Sequence, residues 1–378
     1  MRIAIDLRLF RLYGPESCTV YLENILSRIA QGHPTDEFYF LFDSAYPLRL
    51  IFSSNVTPVV IKPKANGTLG WKYWYHFKLP RFLKNHGVDC FVAASGICSQ
   101  TASLRQVLFL QDLGFIKSAS DYSKSQVRFL KSIMPAQLQK AAKVLVMTEA
   151  VKQEILELYK INAEKIVVIP GAASDSSQAL PWYEREYTKD KYAGGKDYFL
   201  FNGNISPGTN ILSLIKAFSQ FKKWQQSNMK LLLVGSWSAQ TQDVMEQLES
   251  FRFREDVVLI EDPAADARAK MLAAAYAMID PSQYAGFGMN FPDVMRSETP
   301  IICSDIAAFR ETAGEAAAFF EAGNEDALAE MLKRIYKDES WRQELIDKGK
   351  EQAGQLHYDD VAARFWQEIV HVGKPQST

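Results

Sequence analysis

Short apolar runs alternate with longer amphipathic stretches along most of the chain. Ile3-Ala4-Ile5 leads into a helical spacing of apolar positions from Val20 to Ala30, and Phe38–Phe42 and Thr57–Ile61 read as the next strands. A helical stretch from Trp71 to Asn85 precedes Cys90–Ala93. Val107–Leu110 and Val144–Met147 follow, each with a helix behind it. Apolar strands separated by helices predict a parallel sheet covered on both faces, because each crossover between parallel strands lays a helix on the sheet. The pattern pauses from Ala172 to Asp197, where Ser174-Asp175-Ser176-Ser177, Pro181 and Gly194-Gly195 stand among charges, a composition that reads as a linker. It restarts at Tyr198–Phe201 and continues through Leu231–Val234, Val257–Ile260, Ala277–Ile279 and Pro300–Ile302. From Glu325 to Val372 only helical spacing remains. The prediction is two doubly wound α/β domains, residues 1–185 and 186–355, with a last helix in 356–378.

The length of 378 residues agrees with two domains at roughly 150 residues each. A hydrophobic share of 47% fills two cores and excludes a disordered chain or a small stapled scaffold. Forty-three basic against 44 acidic residues leave a net charge of −1, which argues against a dedicated nucleic-acid binder. Cys18, Cys90, Cys98 and Cys303 form no Cys-x-x-Cys pair and read as free thiols in a reducing compartment. His33, His76, His86, His357 and His371 lack ligand spacing, so no metal site is expected. Arg2 is followed at once by a strand, with no apolar leader, and no run of about 18 apolar residues occurs. A soluble, cytoplasmic protein is the expectation.

In open α/β sheets, ligands bind beyond the carboxyl ends of the strands, where the strand order reverses. Two such domains face to face make a cleft with two half-sites, a geometry suited to joining two substrates. Two-lobed periplasmic binding proteins share the outline but carry an export signal.

Six segments add a family frame. Met1-Arg2-Ile3-Ala4-Ile5-Asp6 opens the chain, Gln111-Asp112-Leu113-Gly114-Phe115 follows a strand, and Lys165-Ile166-Val167-Val168-Ile169-Pro170-Gly171 closes the first half. Phe199-Leu200-Phe201-Asn202-Gly203-Asn204 opens the second half. Pro281-Ser282-Gln283-Tyr284-Ala285-Gly286-Phe287-Gly288 and Thr299-Pro300-Ile301-Ile302-Cys303-Ser304 come after it. In this order they resemble the group 1, sucrose-synthase-like glycosyltransferases of the GT-B fold, with two Rossmann-like lobes. The resemblance implies retaining transfer of a sugar from a nucleotide-sugar donor on the second lobe to a glycan or lipid-linked acceptor on the first. It also implies that the last helix crosses back to the first lobe. No cofactor or metal is implied, because protein cations and helix N-termini hold the departing diphosphate as its charge grows. The implied catalytic residues are Asp112 and Gln111, lining the sugar pocket. On the donor side stand Gly203, Asn204, Gly208, Thr209, Tyr284, Ala285, Gly286, Phe287, Gly288, Asp293 and Arg296, and on the acceptor side Ser17, Thr19 and Trp74.

The sequence departs from the family where chemistry is expected. The family's Arg and Lys after the first strand of the second lobe are Asn204 and Thr209 here. Losing one comparable donor to a developing anion costs roughly 100- to 1,000-fold in rate. The Glu-x7-Glu pair reads Ala285 and Asp293, of which only Asp293 can still accept from a ribose. The Gly before Thr-Pro is Glu298. The glycine-rich loop of the first lobe reads Ser17-Cys18-Thr19-Val20-Tyr21, with only Gly14 nearby, and the His of the His-Asp pair is Gln111. Arg8, Arg11, Lys216 and Arg296 are the cations that could compensate, although Arg296 also reads as an ion-pair partner of Glu298. Gly286 and Gly288, just before a helix, read either as a diphosphate site or as a tight turn.

The aromatic and basic stretch Gly70–Lys84 has three readings. It can be an interfacial contact toward a lipid-linked acceptor, a stacking surface for an acceptor sugar, or an amphipathic helix with Trp74, Phe77 and Leu79 inward. Two functions remain in view. One is a retaining glycosyltransferase of polysaccharide or glycoconjugate assembly, soluble or peripheral at the inner membrane face. The other is a catalytically degenerate relative acting as a carbohydrate-binding protein or as a partner subunit of another glycosyltransferase.

Overall fold

The computed structural model describes residues 1–12, 17–237 and 241–374. The chain forms two compact units. The first comprises Met1–Leu113, Ser125–Gly171 and Tyr358–Thr378, and the second Gly114–Lys124 and Ala172–His357.

The first unit is built on a parallel sheet of seven strands. They are β1 (Arg2–Asp6), β2 (Glu37–Phe42), β3 (Val56–Val60), β4 (Cys90–Ala93), β5 (Gln106–Phe109), β6 (Lys143–Val146) and β7 (Ile166–Val168), in the order β3-β2-β1-β4-β5-β6-β7. The strand order reverses between β1 and β4, which pair as Ile3 with Cys90 and Ile5 with Val92. The central strands are apolar on both faces because helices cover both. One of these is the last helix, Tyr358–Gly373. Its Phe365 and Ile369 are buried, Trp366 stacks on His33 at 4.1 Å, and Asp359 pairs with Arg28 at 2.8 Å.

The second unit carries six parallel strands: β8 (Tyr198–Asn202), β9 (Lys230–Gly235), β10 (Val257–Glu261), β11 (Ala277–Asp280), β12 (Ile301–Ser304) and β13 (Ala317–Phe320). Their order is β10-β9-β8-β11-β12-β13, reversing between β8 and β11. Strand β13 escaped the sequence pattern. It is four residues long, half of them alanine, and pairs only with β12 at the sheet edge.

The division between units falls at Gly171/Ala172 rather than near residue 185, because the stretch read as linker contains a helix, Trp182–Ala193. Its buried residues include Thr188 and Ala193, while Trp182, Tyr183 and Tyr187 face solvent, so no apolar stripe betrays it. Gly194 closes it in the left-handed conformation at φ 60°.

The crossover from β3 to β4 shows how local sequence orients a face. It runs as an α-helix (Gly67–Tyr73), a π-helical turn (Trp74–Lys78) and a second α-helix (Leu79–Asn85). Pro80 has no N–H to offer the carbonyl of His76, four residues back. That carbonyl instead accepts from Thr101 Oγ1 at 2.8 Å, and the preceding one, of Tyr75, accepts from Ser99 Oγ at 2.7 Å. The wider turn brings the consecutive Trp74 and Tyr75 inward together, then Leu79 and Leu83. Phe77 points outward, contrary to the inward packing its spacing suggested.

Trp74 and Tyr75 meet the carboxyl end of β1. The Arg8 guanidinium, almost wholly buried, lies 4.4 Å from the Trp74 ring centre and 4.5 Å from that of Tyr75. Its Nε is 3.2 Å from Asp6 Oδ1, and a second carboxylate, Asp43, stands at 3.9 Å. Arg8 donates to the Tyr75 hydroxyl, which donates to Asp6, as does Ser95. Burial opposes the Arg8 charge, but Asp6, Tyr75 and Asp43 outweigh it and hold its pKa above the ordinary arginine value. Replacing Arg8 with Met leaves the buried carboxylates of Asp6 and Asp43 without the cation they share. This should cost about 3–5 kcal/mol, read as an earlier urea transition of the intact chain.

Candidate functional site

In the first unit, Gln111 and Asp112 follow β5 at the carboxyl edge of the sheet, both half-buried. The Gln111 amide donates to Cys18 Sγ at the start of the helix Ser17–Gly32. Among the residues expected on the acceptor side, Thr19 is fully buried one residue further along this helix. The side chains of Ser17 and Arg11 and all of Gly14 lie outside the described residues. Trp74 is a correction. It is completely buried, its indole N–H donates to Ile61 O at 2.9 Å, and Arg8 lies against its ring, so no face is left for a sugar. Arg8 itself is committed to Asp6 and cannot serve as a free cation.

In the second unit, the loop after β8 holds four of the expected residues. Gly203 N donates to Val234 O at 2.9 Å, and Asn204 is exposed. Thr209 closes the short turn Pro207–Thr209, where its hydroxyl donates to Ser206 O at 2.8 Å and accepts from Ser206 N at 3.1 Å. The side chain that replaces a lysine is therefore used as a cap. Gly208 is pressed against the segment 114–124. Its N–H donates to Asp121 Oδ1 at 2.8 Å, and a Cβ on Gly208 would lie 2.2 Å from Asp121 Oδ2 and from Ser118 Oγ. A carboxylate thus occupies a loop N–H in the region expected to meet a diphosphate. Asp121 carries no sequence signal for this role, because its partner is a backbone amide 87 positions away.

The loop after β11 packs on the same turn, with Gln283 N donating to Gly208 O at 3.0 Å. Tyr284 and Ala285 are half-buried, and Ala285 packs on the apolar cluster around Phe291. Gly286, Phe287 and Gly288 are buried. Gly288 is required by packing, since a Cβ there would stand 2.6 Å from the Phe291 ring. The helix that follows, Phe291–Arg296, is only six residues long.

Asp293 faces the start of the chain segment that enters this unit. Its Oδ1 accepts from Ser174 N at 2.7 Å and from Ser177 Oγ at 2.8 Å. Burial pushes the Asp293 carboxyl above its ordinary value, against the pull of these bonds and of Arg296. Arg296 lies 3.7 Å from Asp175, whereas Glu298 pairs with Lys350 at 3.0 Å, so the expected Arg296–Glu298 pair is not formed. Glu298 sits at φ 59°, the left-handed conformation that the family's glycine takes freely. Lys216 pairs with Glu325 at 3.1 Å on the surface.

Three neighbouring strands of this unit end in polar groups that sequence reading passed over. Asn202 Oδ1 on β8 and Ser304 Oγ on β12 are buried without a hydrogen-bond partner. Between them β11 ends in Asp280, raised above its ordinary value by burial although Ser282 donates to it at 2.5 Å. Chemically this edge offers the side-chain amide of Asn202 and the hydroxyl of Ser304. Among its expected donor residues the one cation, Arg296, is turned to Asp175. Among the described residues, no group of three or more His, Cys, Asp or Glu could hold a metal ion.

Comparison with known proteins gives this edge its context. Residues 184–352 match the family model of glycosyl transferases group 1, and residues 29–175 match that of glycosyltransferase family 4. The chain belongs to the group 1 glycosyltransferases of the GT-B fold. It is 26% identical over 264 residues to O-antigen chain mannosyltransferase B of Escherichia coli, covering 69% of this chain and 68% of that one. It is 25% identical over 207 residues to the O-antigen chain mannosyltransferase RfbU of Salmonella typhimurium, spanning about half of each (55% and 54%). The fold is shared with the sucrose-phosphate synthase of Thermosynechococcus elongatus, at a TM-score of 0.80 and 16% identity over 98% of both chains. HepE of Anabaena, solved with UDP and glucose, gives 0.77 at 16% identity over 98% of this chain and 100% of that one.

Three outcomes follow from these bonds. Asp293→Ala should lower stability by about 2 kcal/mol by orphaning the Ser174 amide and the Ser177 hydroxyl, whereas Asp293→Asn keeps an acceptor. The Asp293 contribution is full below the ordinary carboxyl value of 3.8 and is lost as pH rises through its higher folded value. Urea titrations should therefore show the native chain losing ground to Asp293→Asn as pH rises through that window. Asp121→Ala should speed amide exchange at Gly208 about tenfold or more, the loss expected for a bond to a charged acceptor.

Proposed function

We propose that the chain is an active glycosyltransferase that moves a mannosyl residue from a nucleotide-sugar donor to a growing glycan of the O-antigen type, with retention of anomeric configuration. The observation that carries this reading is the match to an O-antigen chain mannosyltransferase across 69% of the chain. The donor belongs to the second unit and the acceptor to the first. The reaction runs in the cytoplasm without a metal ion.

The physical demand is the charge that develops on the departing diphosphate. Here the loop after β8 carries neutral side chains, Asn204 and Thr209, where the family has an Arg-Lys pair, which predicts slow turnover. The diphosphate oxygen leaving the sugar takes the proton of the attacking acceptor hydroxyl on the same face, so configuration is kept. Asp112 accepts hydrogen bonds from sugar hydroxyls and orients the transferred ring.

Calorimetric titration with GDP, UDP, ADP and their sugar conjugates tests the donor half. Micromolar binding of one nucleotide is the expected result, and no binding to any of them would sink the proposal. With the donor known, the anomeric configuration of the product by NMR tests the stereochemistry. Asp112→Asn should lower kcat about 100-fold, the cost of a misplaced reacting ring, while leaving nucleotide affinity unchanged.

A further inference from the structure

Between Asp43 and Asp89 the chain carries no acidic residue and seven basic ones, although its net charge is −1. The crossover helices Gly67–Asn85 lie in this stretch. Their inner face is fixed by Trp74 and Tyr75 against Arg8, and their outer face carries Leu69, Tyr73 and Phe77, which are 83%, 45% and 67% exposed. These three stand four residues apart and form one stripe, with Tyr73 and Phe77 ring centres 6.0 Å apart. Lys62, Lys64, Lys72 and Arg81 are exposed around them. The helix Lys124–Lys140 is also free of acidic residues. It stands alongside through Phe129, whose ring meets Trp71 at 5.0 Å, and it adds the exposed Arg128 and Lys131.

We propose that this face docks on the surface of an anionic lipid bilayer, with Leu69, Tyr73 and Phe77 entering the interface and the surrounding lysines and arginines meeting lipid phosphates. Apolar side chains ringed by cations match the layered chemistry of that surface, in which an acyl boundary lies beneath negative headgroups. A second copy of the chain is a poor occupant, since a twofold contact would set these cations against themselves. A nucleic acid is also a poor one, because Leu69, the most exposed residue of the stripe, offers no ring for a base to stack on. The stripe starts where the chain leaves β3, at the carboxyl edge of the first sheet. Docking here brings that edge close to the membrane plane.

The test is sedimentation of the full chain with vesicles, which does not depend on transfer activity. Binding is expected to vesicles of equal phosphatidylglycerol and phosphatidylcholine at low salt, and should weaken steeply as salt is raised. Phosphatidylcholine alone should bind far less. Neutralising Lys62, Lys64, Lys72 and Arg81 to Gln should weaken binding about fivefold per charge, several hundredfold together. Leu69→Ser with Phe77→Ser should lower binding at every salt concentration without steepening its salt dependence. All of these positions are exposed, so circular dichroism should show unchanged folding. The proposal fails if the chain stays in the supernatant with anionic vesicles. It also fails if both variants bind like the native chain, or if a soluble acidic polysaccharide is bound while vesicles are not.

Discussion

Arg8 carries its charge into a place with almost no water, and the carboxyl edge of the first sheet is organised around keeping it there. The groups around it come from the ends of three adjacent strands and from the helix laid over them: Asp6 at the end of β1, Asp43 after β2 and Tyr75 face it, and Ser95 after β4 donates to Asp6. A guanidinium is a planar fork, so the directions of its bonds are fixed along with its position. Because Trp74 and Tyr75 must both reach it, the crossover helix cannot rotate. What the outer face displays is thus decided at the inner one.

The second unit settles its polar edge differently. Asp293 holds two serines, Asp121 holds the Gly208 amide, and Thr209 caps its own turn. The positions where the family places long charged side chains are occupied by short neutral ones, and Thr209 among them closes its own loop. Such a surface offers hydrogen bonds one at a time, with little help from a long-range field.

The strand pattern was legible because both sheets are parallel and buried on both faces, which turns strands such as Leu231–Val234 and Cys90–Ala93 into continuous apolar runs. Elements with a weak or absent stripe were not legible. Strand β13 is half alanine, and the helix Trp182–Ala193 turns its large rings to solvent. At the candidate site, residue types could be placed by family spacing but not by their contacts. Trp74 is an aromatic in an aromatic-basic stretch whether it faces a ligand or Arg8, and only a π-helical turn separates its role from that of Phe77. Asp121 and Ser174 act through backbone amides far along the chain, which no local pattern records.

The first unit is completed by a helix that follows the second unit's main segment along the chain. Tyr358–Gly373 covers β4 and β5, yet the main segment of the second unit, Ala172–His357, is synthesised between β7 and that helix. At roughly 5–20 residues per second on a ribosome, the apolar face that receives Phe365 and Ile369 stays bare for about 10–40 s. During that interval the second unit can complete its own core. This order of events makes the first unit, although its strands emerge first, the one whose core is completed second.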